Sequence, residues 1–160
     1  MKTLNRVNDI LFTIEKWISM IGFIGMVGIV LYSIIRREFI QVPFSAGEEI
    51  TRNLTVIVIF ISAAMAVKCQ SHVGVEAVAN AIPEKYQKQA WYFRNFIELI
   101  LWILIAIYAS KVMLHYVGSG QVTPISRVPI YVVYVCVPVC GFLAVYHMIV
   151  RILNKIEEGL

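Results

Sequence analysis

The run Trp17–Ile35 constrains this chain more than any other feature. It is wholly uncharged and is bounded by Lys16 and Arg36. A helix needs about 20 apolar residues to cross a hydrocarbon layer roughly 30 Å thick, so this run spans a membrane with modest tilt. Three further segments have the same character. In the second, the uncharged run Asn53–Val67 is too short to span alone. However, Pro43 and the Ser45-x-x-Glu48 pattern mark a helix start with a capping box, which predicts a helix from Ser45 to Lys68. The third runs from Trp91 to about Lys111 and carries Arg94 and Glu98 in its first half. The fourth covers Val128–Val150 and contains Pro129, harmless at a helix start, and Pro138, which should kink it.

Composition supports the same class. The chain is 59% hydrophobic and 15% charged, with mean hydropathy +0.77, whereas soluble domains carry about 25% charged residues. The reading is an all-α integral membrane protein: one domain over residues 1–160, with spans at about 17–35, 45–68, 91–111 and 128–150. Between the second and third spans, Val75, Val78, Ala79 and Ile82 recur at helical spacing among polar residues. That pattern predicts a short amphipathic helix on the membrane surface. The N-terminus has no small-residue cleavage site after a short apolar core, so the first span reads as a retained anchor.

Four spans put both termini and the middle loop on one side. Lys2, Arg6, Lys16, Lys68, Lys85, Lys88, Arg94, Arg151 and Lys155 fall there; Arg36, Arg37, Lys111 and Arg127, with Arg52 nearby, fall on the other. The excess predicts cytoplasmic termini. Trp17, Trp91, Tyr92 and Tyr131 sit near the predicted boundaries, as belt aromatics do. The net charge of +4 is scattered over segment edges and forms no basic stripe, which argues against nucleic acid as a partner.

Ionizable groups in spans are candidates for function. Glu48 and Arg52 stand i,i+4, in the favourable order for a helical pair. Glu49 lies about 100° around the helix from Glu48 and is expected to face Arg36, Arg37 or another subunit. Arg94 and Glu98 make a second i,i+4 pair. Both sets hug a boundary, so structural locks or subunit contacts are favoured over a transport path through the chain. Ser19, Gly22, Gly25 and Gly28 recur every third position, and Ser62, Ala63, Ala64 and Ala66 cluster in the second span; small residues let membrane helices approach closely. His72, His115 and His147 give at best a weak haem pair, and no histidine or cysteine spacing suits zinc. Cys69, Cys136 and Cys140 read as packing residues and not a disulfide framework. No catalytic constellation or cofactor motif is present.

Taken together, the order of motifs resembles the small membrane subunit of tripartite ATP-independent periplasmic (TRAP) transporters. Glu48, Glu49 and Arg52 match the acidic pair and arginine that open that family's second helix, and Ser62, Ala63 and Ala64 match its small-residue patch. "KCQSHVGVE", with His72 and Glu76, matches the stretch that follows. "PIYVVYVCVP", from Pro129 to Pro138, matches a late proline–aromatic pattern, with Tyr131 in place of tryptophan. The resemblance implies four spans and a bacterial inner-membrane location. It implies a non-catalytic, cofactor-free scaffold for a large multi-span subunit that carries the sodium and organic-acid sites. A periplasmic binding protein would deliver a dicarboxylate or sialic acid to the outer face, where Arg37 and Arg127 are the expected contacts. Two other readings remain at this stage: a membrane redox protein using haem or a thiol–quinone couple, and a self-sufficient small channel.

Overall fold

The computed structural model describes residues 2–69 and 84–157. Its elements are α1 (Lys2–Ile35), a π-helical turn (Arg36–Ile40), α2 (Ser45–Cys69), α3 (Glu84–Ser119), α4 (Ile130–Tyr134) and α5 (Cys136–Glu157). Four stretches of helix are long and apolar enough to cross a membrane: Thr3–Ile40, Ser45–Cys69, Gln89–Ser119 and Ile130–Lys155. The surface helix expected around Val75–Ile82 lies outside the described residues, as does His72.

The 34 residues of α1 and 36 of α3 are longer than their apolar runs. At 1.5 Å per residue each exceeds about 50 Å, well beyond a hydrocarbon core, so both project past the membrane or tilt within it. Meanwhile α2 is one unbroken helix that carries Glu48, Glu49 and Arg52 in its first two turns. Its start differs from the capping-box expectation: Ser45 is exposed and its side chain makes no hydrogen bond among the described residues. The first turn is instead closed by the Gly47 N–H donating to the Phe44 carbonyl at 2.9 Å. The last span is interrupted at Val135, between α4 and α5. Pro138 has no N–H to offer the Tyr134 carbonyl one turn earlier, and the helix loses its regular ladder there.

The helices pack in the order α1, α2, α5, α3. Thus α2 touches α1 and α5, α3 packs on α5, α1 also meets α5 at the end carrying both termini, and α1 and α3 do not meet among the described residues. The central pair, α2 and α5, run parallel, because the start of α2 lies near the start of α4–α5 and the Val67 carbonyl near its end meets Arg151. The chain is therefore a row of helices, not a ring around a lumen. Its core joins Ile61, Ala64 and Val67 of α2 with Trp102 of α3 and Cys140, Ala144 and Met148 of α5.

Close approaches depend on small residues, the main device for membrane helices that gain little from burying apolar surface. A Cβ on Gly141 would stand 3.0 Å from the Ala106 Cα, so α5 lies almost backbone to backbone on α3. One on Gly22 would stand 2.9 Å from the Val58 side chain, and one on Gly47 would collide with Phe44 and Ser33. Ser19 and Ser62 bond across α1–α2 at 2.8 Å, while Ala63 packs against the core cluster and Ala66 is half-buried. Gly25 and Gly28 meet nothing within this chain: a Cβ on either would point into open space. A period of three drifts about 60° per step on a helix of 3.6 residues per turn, so Gly22, Gly25 and Gly28 cannot share one face. The face that packs is Asn8, Glu15, Ser19, Gly22, Met26, Ile29 and Ser33.

Candidate functional site

Two polar clusters hold the row together, one at each end. At the end carrying both termini, four helices are tied by hydrogen bonds and ion pairs. His147 of α5 is 1% exposed and lies between two partners on α1: its Nε2 is 3.1 Å from a Glu15 carboxylate oxygen and its Nδ1 meets the Asn8 amide oxygen. Arg151, one turn further, donates to the Val67 carbonyl at 2.7 Å, to Asn95 and to Glu98 at 3.0 Å. Val67 is among the last carbonyls of α2, which have no partner within the helix, so Arg151 caps α2 with a cation at the negative end of its dipole. Asn95, itself buried, donates to the Trp91 carbonyl at 2.6 Å. On the other flank Lys68 reaches the Asp9 carboxylate at 2.7 Å and the Asn8 carbonyl at 3.1 Å.

The pairing expected between Arg94 and Glu98 is not formed. Glu98 takes its cation from α5, and Arg94 carries no ion pair among the described residues. Adjacent-turn logic fails here because the Arg151 guanidinium, already fixed by α2, offers a desolvated partner with charge-assisted geometry, whereas an i,i+4 pair on one helix is worth only about 0.3–0.5 kcal/mol. Asn8 and Glu15 carry no motif in the sequence, and His147 enters it only as a weak haem candidate. Their signal was present: Asn8 and Glu15 are two turns apart, on the same face as Ser19 and Gly22.

The opposite end is organised by one carboxylate. Glu49 is 4% exposed, yet no arginine pairs with it among the described residues. Its oxygens accept the Ile125 N–H at 2.9 Å, the Ser126 N–H at 3.1 Å and the Ser126 hydroxyl. The expectation of a cationic partner is corrected: Glu49 finds a nest of backbone and hydroxyl donors in the loop before α4. Three hydrogen bonds to a charged acceptor, each about 1.5–3 kcal/mol, make desolvation of the carboxylate tolerable. The loop itself is stiff. Val122 and Pro129 form an isolated β-bridge, the Thr123 N–H donates to the Val128 carbonyl at 2.9 Å and the Val128 N–H donates to the Thr123 hydroxyl at 3.0 Å. At its tip Arg127 is exposed and held in the left-handed region, at φ 52°.

Around α1 and α2 at the same end, Arg36 stacks over the Phe44 ring at 5.4 Å and Arg37 pairs with Glu38 at 3.6 Å on the surface. Glu48 and Arg52 do not close on one another; both are exposed and line one groove with Arg37. Among the described residues Cys69, Cys136 and Cys140 form no disulfide, and no cluster of metal-ligating side chains occurs.

A set of spanning helices whose buried charged residues lie at the two ends fits the resemblance drawn from the motifs. The family model for the DctQ component of tripartite ATP-independent periplasmic transporters matches residues 26–158. The chain belongs to the TRAP small permease family. It is 26% identical over 137 residues to a TRAP transporter small permease protein of Haemophilus influenzae (strain ATCC 51907 / DSM 11121 / KW20 / Rd), covering 85% of this chain and 83% of the relative. It is also 28% identical over 95 residues to the sialic acid TRAP transporter permease protein SiaT of Haemophilus influenzae (strain 86-028NP). That match covers 59% of this chain but only 15% of the much longer relative. As a TRAP small permease subunit, this chain is a multi-pass membrane protein and a transporter component. Its polar clusters are accordingly read as architecture and contact surface.

Proposed function

We propose that this chain is the non-catalytic scaffold of a sodium-coupled organic-acid importer in a bacterial inner membrane, with both termini in the cytoplasm. It would brace a large multi-span subunit that carries substrate and sodium. The observation that carries this reading is the row itself. The helices pack directly on their neighbours, with α1 and α3 as the outer edges, and no charged side chain lies between the two end clusters in α1 or α2 among the described residues. A conduction path needs ionizable or polar groups at several depths, whereas a brace needs broad apolar faces. The lysine and arginine asymmetry supports the orientation, and family membership supports the partner. The organic-acid class, dicarboxylate or sialic acid, rests on the family and on the name of the SiaT relative.

On this reading the loop anchored by Glu49 is the docking platform for the periplasmic binding protein, with Arg127 at its tip and Arg37 on the neighbouring corner as contacts. Purification in mild detergent tests the brace. The expected result is stoichiometric retention of a multi-span membrane protein, and a chain that emerges alone under conditions preserving its helices would contradict it. Arg127→Glu combined with Arg37→Glu tests the platform: uptake should fall while the membrane complex stays assembled, and unchanged uptake would remove both contacts.

A further inference from the structure

Between the end of α1 and the start of α2 lies an open groove of about 380 Å³. Its apolar wall is Val30, Ile34 and Phe44; its polar rim is Arg37, Glu48 and Arg52. The groove straddles the edge of the hydrocarbon layer, because the uncharged run of α1 ends at Ile35 and that of α2 begins after Arg52. Its charges differ from those at the opposite end. There, Lys68 and Arg151 are paired with Asp9 and Glu98 and donate to helix carbonyls. Here, Arg52 and Glu48 carry neither hydrogen bond nor ion pair among the described residues, although their i,i+4 spacing would allow one.

We propose that this groove is a binding site for a zwitterionic phospholipid with a phosphoethanolamine headgroup. Three complementary features select that chemistry. Arg52, reinforced by Arg37, offers guanidinium donors at the depth where lipid phosphates lie, and guanidinium–phosphate contacts are strong and directional. Glu48, about 6 Å along the helix at 1.5 Å per residue, offers a carboxylate to the ammonium group. Val30, Ile34 and Phe44 offer an apolar wall to the acyl chain. A purely anionic headgroup would satisfy the arginines but oppose Glu48, and a soluble phosphate ester would leave the wall uncovered.

The test uses the full chain, purified with its native membrane partners, stripped of lipid and studied by native mass spectrometry. Phosphatidylethanolamine, phosphatidylglycerol with the same acyl chains and free phosphoethanolamine are added separately. The protein should retain phosphatidylethanolamine best. Arg52→Gln should weaken that retention roughly tenfold, the loss of one charge-assisted contact, and Arg52→Lys should recover part of it. Glu48→Gln should shift the preference towards phosphatidylglycerol, and Lys111→Gln, an exposed charge outside the groove, should change neither. Helix content by circular dichroism shows that each variant is folded. The proposal is overturned if Arg52→Gln and Glu48→Gln keep the lipids and preference of the starting protein. Free phosphoethanolamine bound as tightly as the lipid would also overturn it, as would an Arg52→Gln defect confined to association with the binding protein.

Discussion

Glu49 shows how a single side chain can be costly to bury and still be retained. Its carboxylate would be prohibitive at this depth without donors, and the loop supplies three. Glu49→Ala should therefore release the loop and destabilise the fold by about 2–4 kcal/mol. Hydrogen exchange at the Ile125 and Ser126 amides reads this directly, and protection equal to the parent's would refute the anchor. Arg127 makes a separable point. A non-glycine residue at φ 52° costs on the order of 1–3 kcal/mol. Arg127→Gly should then hold or raise the melting temperature while weakening binding-protein docking, and intact docking would show that the side chain makes no contact. At the other end, Arg151→Met removes the cation that joins Glu98, Asn95 and the Val67 carbonyl and should cost about 3–5 kcal/mol. Arg151→Met with Glu98→Leu should recover much of that; a double variant as unstable as the single would contradict the pairing.

The spanning helices were legible in the sequence because each is marked by an apolar run, long and uncharged in the first and last spans and extended by a charged turn or two in the middle pair, a signal that needs no partner. Their contacts were not. The expected pairs of Glu48 with Arg52 and Arg94 with Glu98 follow from helical spacing, but spacing gives only the partners available within one helix. Glu49 is bound by a loop 76 residues away in sequence, and Glu98 by Arg151 of α5. Gly25 and Gly28 lie off the face that packs within the chain for a related reason: a repeat of three does not follow the 100° step of the helix. The Asn8–Glu15–Ser19–Gly22 face does follow it, and it ties α1 to its neighbours. Glycine variants separate these cases. Gly141→Ala must move the α3 backbone and should cost about 1–3 kcal/mol, whereas Gly25→Ala, which meets nothing within the chain, should stay within about 0.5 kcal/mol. Thermal unfolding in detergent distinguishes them, and equal losses would contradict the packing order.

For the whole molecule, the row α1–α2–α5–α3 is locked by charge and hydrogen bonding at its two ends and by small-residue contacts between them, and it leaves broad apolar faces uncovered. Such an object suits the static part of a transporter assembled from several chains. Its outer edges, α1 and α3, should not crosslink to each other. Cysteines at Ser19 and Ser62, across α1–α2, should form a disulfide readily. The central claim is that the small subunit supports transport without conducting. Reconstitution into proteoliposomes tests it most directly, with the chain supplied alone or together with its large subunit and binding protein. The account predicts sodium-driven organic-acid uptake from the three components together and none from this chain by itself. Sodium-dependent flux through this chain alone would contradict it.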